Sequence, residues 1–388
     1  MSEGVTATLR KNLGRVLRAG HPWVYRDALE RFDAAPGTVV TVRDAKKRFL
    51  GRGVAERGPI AVRLWTTVDE PVDAGFVRRR VRDAVALRRR LTPPDTDAVR
   101  LLHGEGDRLG GAQCDRYGAV GVLRLDGAGT ARWRDALVEA LVAEARLEGL
   151  LLKTGRRGDT RVEVVHGRVE DEPIEVHERG MRLLVDVHRG QKTGLFLDHR
   201  DSRRTVRRVA EGMRVLNLYG YTGGFSVAAG LGGARAVETV DVAAGALSFA
   251  RRSWTRNGLA PGLHETACED VPTFLERARR GDRTWDLIVS DPPSFAPKKD
   301  AKKKAMRSYR ALHRTCLKRL SDGGLYLAAS CSSHVDRDAF EQTVKDGAEK
   351  ASVVLQVLGR WGAAADHPRL LGFPEGDYLK VVLCRATR

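Results

Sequence analysis

The sequence predicts an α/β protein in three units: a carboxy-terminal doubly wound, largely parallel sheet, preceded by a small β-rich unit and a central α+β unit. Three observations predict it. From about Gly190 onward, apolar runs at Arg214–Leu218, Ala236–Asp241, 287–291, 325–329 and 378–384 alternate with helical segments. That alternation marks a sheet whose ligands bind beyond the carboxyl ends of its strands. The first 72 residues are instead short apolar runs (39–42 and 61–64) cut by Pro36-Gly37, Gly51, Gly53 and Gly58-Pro59, the punctuation of a small barrel or curled sheet. Between these ends, strand candidates flank a single helical stretch.

Taken in order, residues 1–72 form the β-rich unit and residues 73–94 a helical linker, with Phe76, Val81 and Val85 spaced for one face and seven arginines crowding the rest. Thr92-Pro93-Pro94 stops that helix. Residues 95–189 form the central unit, with strands at 111–114, Val120–Leu125, 150–153, 174–177 and 181–187 and a helix over 131–146. Residues 190–388 form the doubly wound unit. Nothing repeats internally, and no linker is of low complexity.

Composition bounds the rest. A chain of 388 residues exceeds one ordinary domain. A hydrophobic fraction of 42% allows ample core, and no run of eighteen apolar residues is present to span a membrane. The amino terminus lacks the apolar segment of a secretory signal, so a cytoplasmic location is expected. The five cysteines, Cys114, Cys268, Cys316, Cys331 and Cys384, include no C-x-x-C pair. A disulfide framework and a structural zinc site are therefore not expected. The 68 basic against 50 acidic residues give a net charge of +18, which suits a polyanionic partner and equally suits an arginine-rich solvated surface. Placement must decide. Residues 298–319 hold ten basic residues, among them Lys298 and Lys299, against Asp300 alone, a local charge of +9.

Five motifs can carry chemistry. In VLNLYGYTGGFSVAAG (215–230), an apolar strand ends at Asn217 and a turn with Gly220, Gly223 and Gly224 leads into a helix. The glycines permit close backbone approach, and the helix start offers unpaired N–H groups. The G-x-G-x-x-G spacing of a dinucleotide fold is absent, and an ordinary tight turn reads the same way. Asp241 closes the next strand, twenty-four residues after Asn217, where an acid can accept hydrogen bonds from two ribose hydroxyls or simply cap a helix. Asp270 follows one strand later and can reach an adenine amino group. In DLIVSDPPSF (286–295), a strand delivers Asp291 to the sheet edge, and Pro292-Pro293 force an extended path that turns carbonyls outward. In GGLYLAASCSSHV (323–335), a strand ends at Ser330 and places Cys331 on the same edge, beside hydroxyls and near His334, where a thiolate can be raised. Most cysteines without a disulfide are small buried apolar residues, and the other four are read so.

Together these residues resemble the bacterial large-subunit ribosomal RNA methyltransferase I family over essentially the whole chain. GRVLRAGHPWVYRDAL is similar to the opening of that family's PUA domain. HGEGDRLGGAQCDRYG is similar to its central hairpin, and GQKTGLFLDHRDSR (190–203) to the segment leading into its methyltransferase domain. NLYGYTGGFSVAA, DPPSFA and SCSSHV complete the match. The resemblance implies a PUA-like RNA-binding domain, a central α+β domain and a class I Rossmann-like methyltransferase domain using S-adenosyl-L-methionine. It implies that Phe196, Asp198, Arg200, Asn217, Tyr219, Gly220, Thr222, Gly223, Asp241, Asp270 and Asp291 serve the cofactor. The family segment usually reads D-Q-R where this chain has Asp198-His199-Arg200, so no role carries over to His199. HGEGDR lacks the spacing of a metal site, and no metal is expected.

The resemblance further implies methylation of carbon 5 of a cytosine in 23S rRNA. Cys331 would attack carbon 6, and Asp291 would hold the amidine edge with the Pro292 carbonyl near the exocyclic amine. Pro293, Lys298 and Lys299 would border the substrate, and Phe295 and Tyr309 would stack on an extruded base. No residue is assigned as the base that removes the ring proton. Ribosomal RNA is the expected partner, no membrane partner is expected, and a homodimer is allowed for. Two other readings stand beside this one: methylation of a guanine ring nitrogen or an exocyclic amine without covalent catalysis, and an RNA-binding assembly factor without activity.

Overall fold

The structure is a computed structural model that describes residues 5–155, 160–296 and 301–388. Two compact units divide it. The first comprises residues 1–174, 186–195 and 365–376, and the second 175–185, 196–364 and 377–388.

In the first unit, β1 (Val5–Thr8), α1 (Gly14–Arg18), β2 (Trp23–Tyr25), β3 (Val39–Arg43), β4 (Phe49–Ala55) and β5 (Ile60–Thr66) build a five-stranded sheet of order β1-β3-β4-β5-β2. Pro36-Gly37 and Gly58-Pro59 do fall between strands, but Gly51 and Gly53 lie inside β4, where a Cβ would press on the backbone of Thr66 and Arg63, in contrast to the turns expected of them. The inward residues of the strands, including Val40, Val42, Leu50, Ala61 and Val62, bury a small core of their own.

Next come α2 (Ala74–Leu91), β6 (Ala98–His103), β7 (Ala112–Tyr117), β8 (Val120–Leu125), α3 (Ala128–Ala131), α4 (Arg134–Ala145), β9 (Gly149–Thr154) and β10 (Arg161–Gly167). The strands form a second sheet of order β10-β9-β8-β7-β6. The Asp73 carboxylate starts α2 by accepting from the Phe76 amide at 2.7 Å. The helix is not the linker expected over 73–94. Phe76, Val77, Val81, Ala84 and Val85 share one core with α4, the central strands and two residues of the first sheet, Val54 and Trp65. Apolar spacing predicted the helix; it could not predict which sheet that face would cover. The acids of HGEGDR have structural partners: Asp107 forms a two-pronged pair with Arg88 at 2.6 and 2.7 Å, and Glu105 accepts from the Trp23 indole at 2.9 Å.

The second unit opens with a hairpin, β11 (Ile174–Glu178) and β12 (Met181–Val185). It continues through α5 (Arg200–Val209), β13 (Arg214–Leu218), α6 (Gly224–Leu231), β14 (Ala236–Asp241), α7 (Ala244–Arg256), β15 (His264–Cys268), α8 (Val271–Arg280) and β16 (Trp285–Ser290). It closes with α9 (Lys302–Lys318), β17 (Leu320–Ser330), α10 (Arg337–Glu349), β18 (Val354–Trp361) and β19 (Lys380–Thr387). Seven strands form one sheet of order β15-β14-β13-β16-β17-β19-β18. The first five are parallel and β19 runs antiparallel to both neighbours. The doubly wound reading is therefore observed; β13, β16 and the second half of β17 carry buried apolar runs because helices cover both faces, whereas the edge strand β15 is polar and only partly buried.

The strands expected at 174–177 and 181–187 belong with this unit and not with the central one. The Leu184 amide donates to Ser253 on α7 at 3.0 Å, and Glu178 joins a buried ion cluster with α5. Sequence adjacency favoured the central unit, whereas Arg203, twenty-five residues on, supplies the partner that decides the matter. Among the described residues, no helix is long and apolar enough to cross a membrane.

Candidate active site at the carboxyl edge of the sheet

The order of strands reverses between β13 and β16, so the crevice lies beyond their carboxyl ends. After β13 the backbone turns sharply. Tyr219 and Tyr221 both lie in the left-handed region, at φ 57° and 47°, an unusual state for bulky side chains. Gly220 sits between them because a Cβ there would stand 2.4 Å from the Thr239 methyl. Gly223 takes φ 76° as the N-cap of α6, where a Cβ would meet that of Ala250 at 2.6 Å.

Asp241 at the end of β14 locks this turn. One carboxylate oxygen accepts from the Tyr221 amide and the other from the Ala243 amide, each at 2.9 Å. It is not the cap of α7, which is Ala243. Each oxygen keeps a further lone pair for a hydroxyl. Asp270 does cap α8, accepting from the Thr273 amide at 3.2 Å, and hydrogen bonds from the Thr273 hydroxyl first and its amide second hold the carboxyl below its usual range. Asn217 is buried and donates its amide N–H to Ser226 at 2.9 Å, so it ties strand to helix from inside. Thr222 is almost fully buried in the same turn.

The segment 196–200 braces this edge from behind. The Phe196 ring meets Tyr221 edge-on at 5.4 Å. Asp198 accepts from the Tyr378 hydroxyl at 2.7 Å, and its backbone carbonyl accepts from the Ala364 amide at 2.9 Å. Arg200 lies against Glu178 at 3.5 Å, while Arg203 grips the same carboxylate at 2.6 and 2.5 Å. Asp198 and Arg200 are buried among protein partners. Their side chains shape the edge on which the cofactor contact is expected.

After β16, Asp291 is partly exposed and lies 3.1 Å from Nε2 of buried His199. Burial alone would push this imidazole down; the Asp291 carboxylate outweighs it, and the His199 pKa is raised. Pro292 is buried and Pro293 exposed. β16 and β17 run parallel with Ser290 opposite Ala328, so both loops emerge on the same edge. The Ser294 hydroxyl meets the Ser332 hydroxyl at 3.1 Å and joins the Asp291 loop to the Cys331 loop.

Cys331 is partly exposed at this junction, whereas Cys114, Cys316 and Cys384 are buried and their thiols pushed up, those of Cys316 and Cys384 to about 12 and 11. Tyr309 corrects an expectation. It is fully buried, its hydroxyl bonds Ser330 and Ser332 at 2.8 and 2.9 Å, and Phe295 lies on its ring at 4.8 Å. No face of Tyr309 is open to a base. Lys298 and Lys299 lie outside the described residues.

Comparison with known proteins matches residues 134–365 to the S-adenosylmethionine-dependent methyltransferase model and residues 7–67 to the PUA-like domain. A protein of Salmonella arizonae named ribosomal RNA large subunit methyltransferase I is 37% identical, with 97% of this chain and 96% of that protein covered. A Cronobacter sakazakii protein of the same name is 36% identical over 98% of this chain and 99% of its own length. The chain belongs to the large-subunit ribosomal RNA methyltransferase I family. Among solved structures, the methyltransferase SMU.776 in complex with SAH superposes with a TM-score of 0.89 at 25% identity, covering 98% of this chain and all of that one.

The enzyme is thus an S-adenosylmethionine-dependent methyltransferase with an amino-terminal PUA-like domain. Its crevice fits that cofactor: an acid at the end of β14 for paired hydroxyls, a second at the end of β15, and a compact turn before a helix start. Sequence reasoning missed the His199–Asp291 pair, the serine bridge between the two loops, and Lys380. That lysine is 1% exposed, stands opposite Ser330 across the β17–β19 ladder, and donates to the carbonyls of Ser332 and Tyr378 at 2.6 and 2.8 Å. A lysine opening a strand gives no signal of this in sequence.

Proposed function

We propose that this enzyme methylates carbon 5 of a cytosine in 23S ribosomal RNA through a transient bond to Cys331. The observation that carries the reading is the junction of the two loops: Asp291 and Cys331 leave adjacent parallel strands, and Ser294 and Ser332 hold their loops together at 3.1 Å. The ribosomal RNA substrate is taken from the names of the relatives.

S-adenosylmethionine, when bound, supplies an electrophilic methyl group. Carbon 5 of a resting cytosine is too weak a nucleophile to take it. The Cys331 thiolate adds to carbon 6, forming an S–C6 bond and moving the C5–C6 π pair so that carbon 5 becomes nucleophilic. Asp291 accepts from the amidine edge and orients the ring, with the buried His199 cation behind it. After methylation, loss of the carbon 5 proton re-forms the double bond and expels the Cys331 thiolate. Asp241 and the turn after β13 hold the cofactor, while Asp270 faces the adenine end.

α9 supports an RNA substrate. Lys302, Arg310 and Arg319 pair with Asp336, Asp346 and Asp282, each at 3.2 Å. Lys303, Arg307, Arg314 and Lys318 are exposed and fall on one helical face. That stripe can neutralise successive phosphates.

RNA containing 5-fluorocytosine tests the reading, because fluorine cannot leave as a proton and the adduct persists. A denaturant-stable protein–RNA species that requires S-adenosylmethionine and maps to Cys331 is expected. Methyl transfer to a nitrogen, with no adduct, defeats it.

A further inference from the structure

We propose that Lys380 is the positioning residue that holds Cys331 as a thiolate and fixes the loop presenting it. This rests on the reading of Cys331 as the nucleophile.

Three observations point to it. Lys380 is the first residue of β19 and pairs with Ser330, the last residue of β17, so its side chain starts level with the residue before Cys331. Its Nζ reaches the Ser332 carbonyl at 2.6 Å, so Lys380 meets the chain on both sides of Cys331, through its backbone at Ser330 and through its ammonium at Ser332. It is 1% exposed, and a lysine this deep needs a reason, since transfer of a bare ammonium from water is costly.

Its two carbonyl partners use two of three N–H donors, leaving one for an anionic sulfur. Burial draws the Lys380 pKa down to about 8, and Cys331 and Asp377 act against that fall. Asp336 also favours the cation, while Arg337 opposes it. On the other side of Cys331, the buried Tyr309 phenol is pushed up and stays neutral. Lys380 is thus a buried cation bonded to the loop that carries the sulfur. His334, the neighbour first considered for that task, is exposed to solvent.

A Cys331–Lys380 ion pair exists only between the two titrations. The thiol must have lost its proton and the ammonium must have kept its own, so the pair fades above pH 8 as Lys380 deprotonates.

The test follows alkylation of Cys331 by iodoacetamide across pH 5–10 in the full chain, read by peptide mass spectrometry, with exposed Cys268 as internal reference. In the native enzyme the Cys331 midpoint is expected well below the ordinary thiol value of about 8.5. Lys380→Gln is expected to cut Cys331 alkylation at pH 7 at least tenfold and leave Cys268 unchanged, and Lys380→Arg to restore it. A native midpoint at or above that of an ordinary thiol overturns the proposal, even if Lys380→Gln fails to fold. So does a folded Lys380→Gln enzyme with an unchanged profile. Failure of the nucleophile reading is seen separately: Cys331→Ala would then still methylate RNA, whatever the alkylation profile.

Discussion

The two halves of the catalytic edge are built from different materials. The half after β13 and β14 is made of backbone: two tyrosines and a glycine at positive φ, a glycine pressed on Thr239, and one aspartate whose oxygens accept two amides. The half after β16 and β17 is made of side chains drawn from distant segments: His199 on Asp291, Tyr309 on two serines, Ser294 on Ser332, and Lys380 on the loop of Cys331. On the proposed function, backbone geometry binds a ligand shared by many enzymes, because amide groups and turns are indifferent to what is methylated, and buried side chains supply what the particular reaction demands. A change on the first half should therefore weaken cofactor binding, and one on the second should spare it and alter chemistry.

The sharpest break of that comparison is Cys331→Ala. Methyl transfer to RNA should fall by on the order of 10⁴-fold or more, as for other covalent nucleophiles, with calorimetric affinity for S-adenosylhomocysteine unchanged. Loss of cofactor affinity in this variant would merge the two halves.

Acid comes next. Burial pushes His313 on α9 down to about 3 and His264 on β15 down to about 4. Unfolded histidines take up protons near pH 6.5, whereas these do so in the folded state only near pH 3 to 4. Stability is therefore full above pH 6.5 and lost as pH falls. For His313 the loss by pH 3 is on the order of 4 kcal/mol. Denaturant melts at pH 7, 5 and 4 should show a falling midpoint, and hydrogen exchange should open α9 and β17 before β13 and β14.

Gly220→Ala probes the backbone half. With its Cβ 2.4 Å from a Thr239 methyl, the turn must shift, at a cost of about 1–3 kcal/mol. Calorimetry should show cofactor affinity down by roughly ten- to a hundredfold, with Cys331 alkylation unaltered.

The smallest effect is His199→Gln. The His199 pKa is raised by Asp291, so its contribution is complete below pH 6.5 and lost as pH rises through the folded value. The variant should lose about 1–2 kcal/mol at pH 6, converge on the native enzyme in stability at alkaline pH, and slow methyl transfer modestly with cofactor affinity unchanged. Equal loss at all pH values would show that packing, not charge, is at work.

This difference in materials explains what could be read in advance. The turn after β13, Asp241, Asp291 and Cys331 are legible because each is a local pattern at a strand end. The doubly wound sheet is legible because its central strands, β13, β16 and the second half of β17, carry apolar runs. The hairpin at 174–185 was misplaced, since its ties run to Arg203 and Ser253 and adjacency says nothing of them. Tyr309 looked like a stacking platform because spacing on a helix does not say which face is covered. Asp198 and Arg200 match a family pattern, yet a match fixes a residue's type and not whether it touches ligand or scaffold.

The position of β19 in the sheet has a consequence in time. It follows β18 in the chain, separated from it by the excursion through 365–376, yet it lies between β17 and β18. Among the described residues β18 has no other neighbour in the sheet, so its pairing needs a segment that follows it in the chain. Lys380 is the first residue of that segment, so the sulfur of Cys331 acquires its cation in the same event that closes the sheet. On the proposed role of Lys380, Cys331 therefore stays unarmed until β19 is in place.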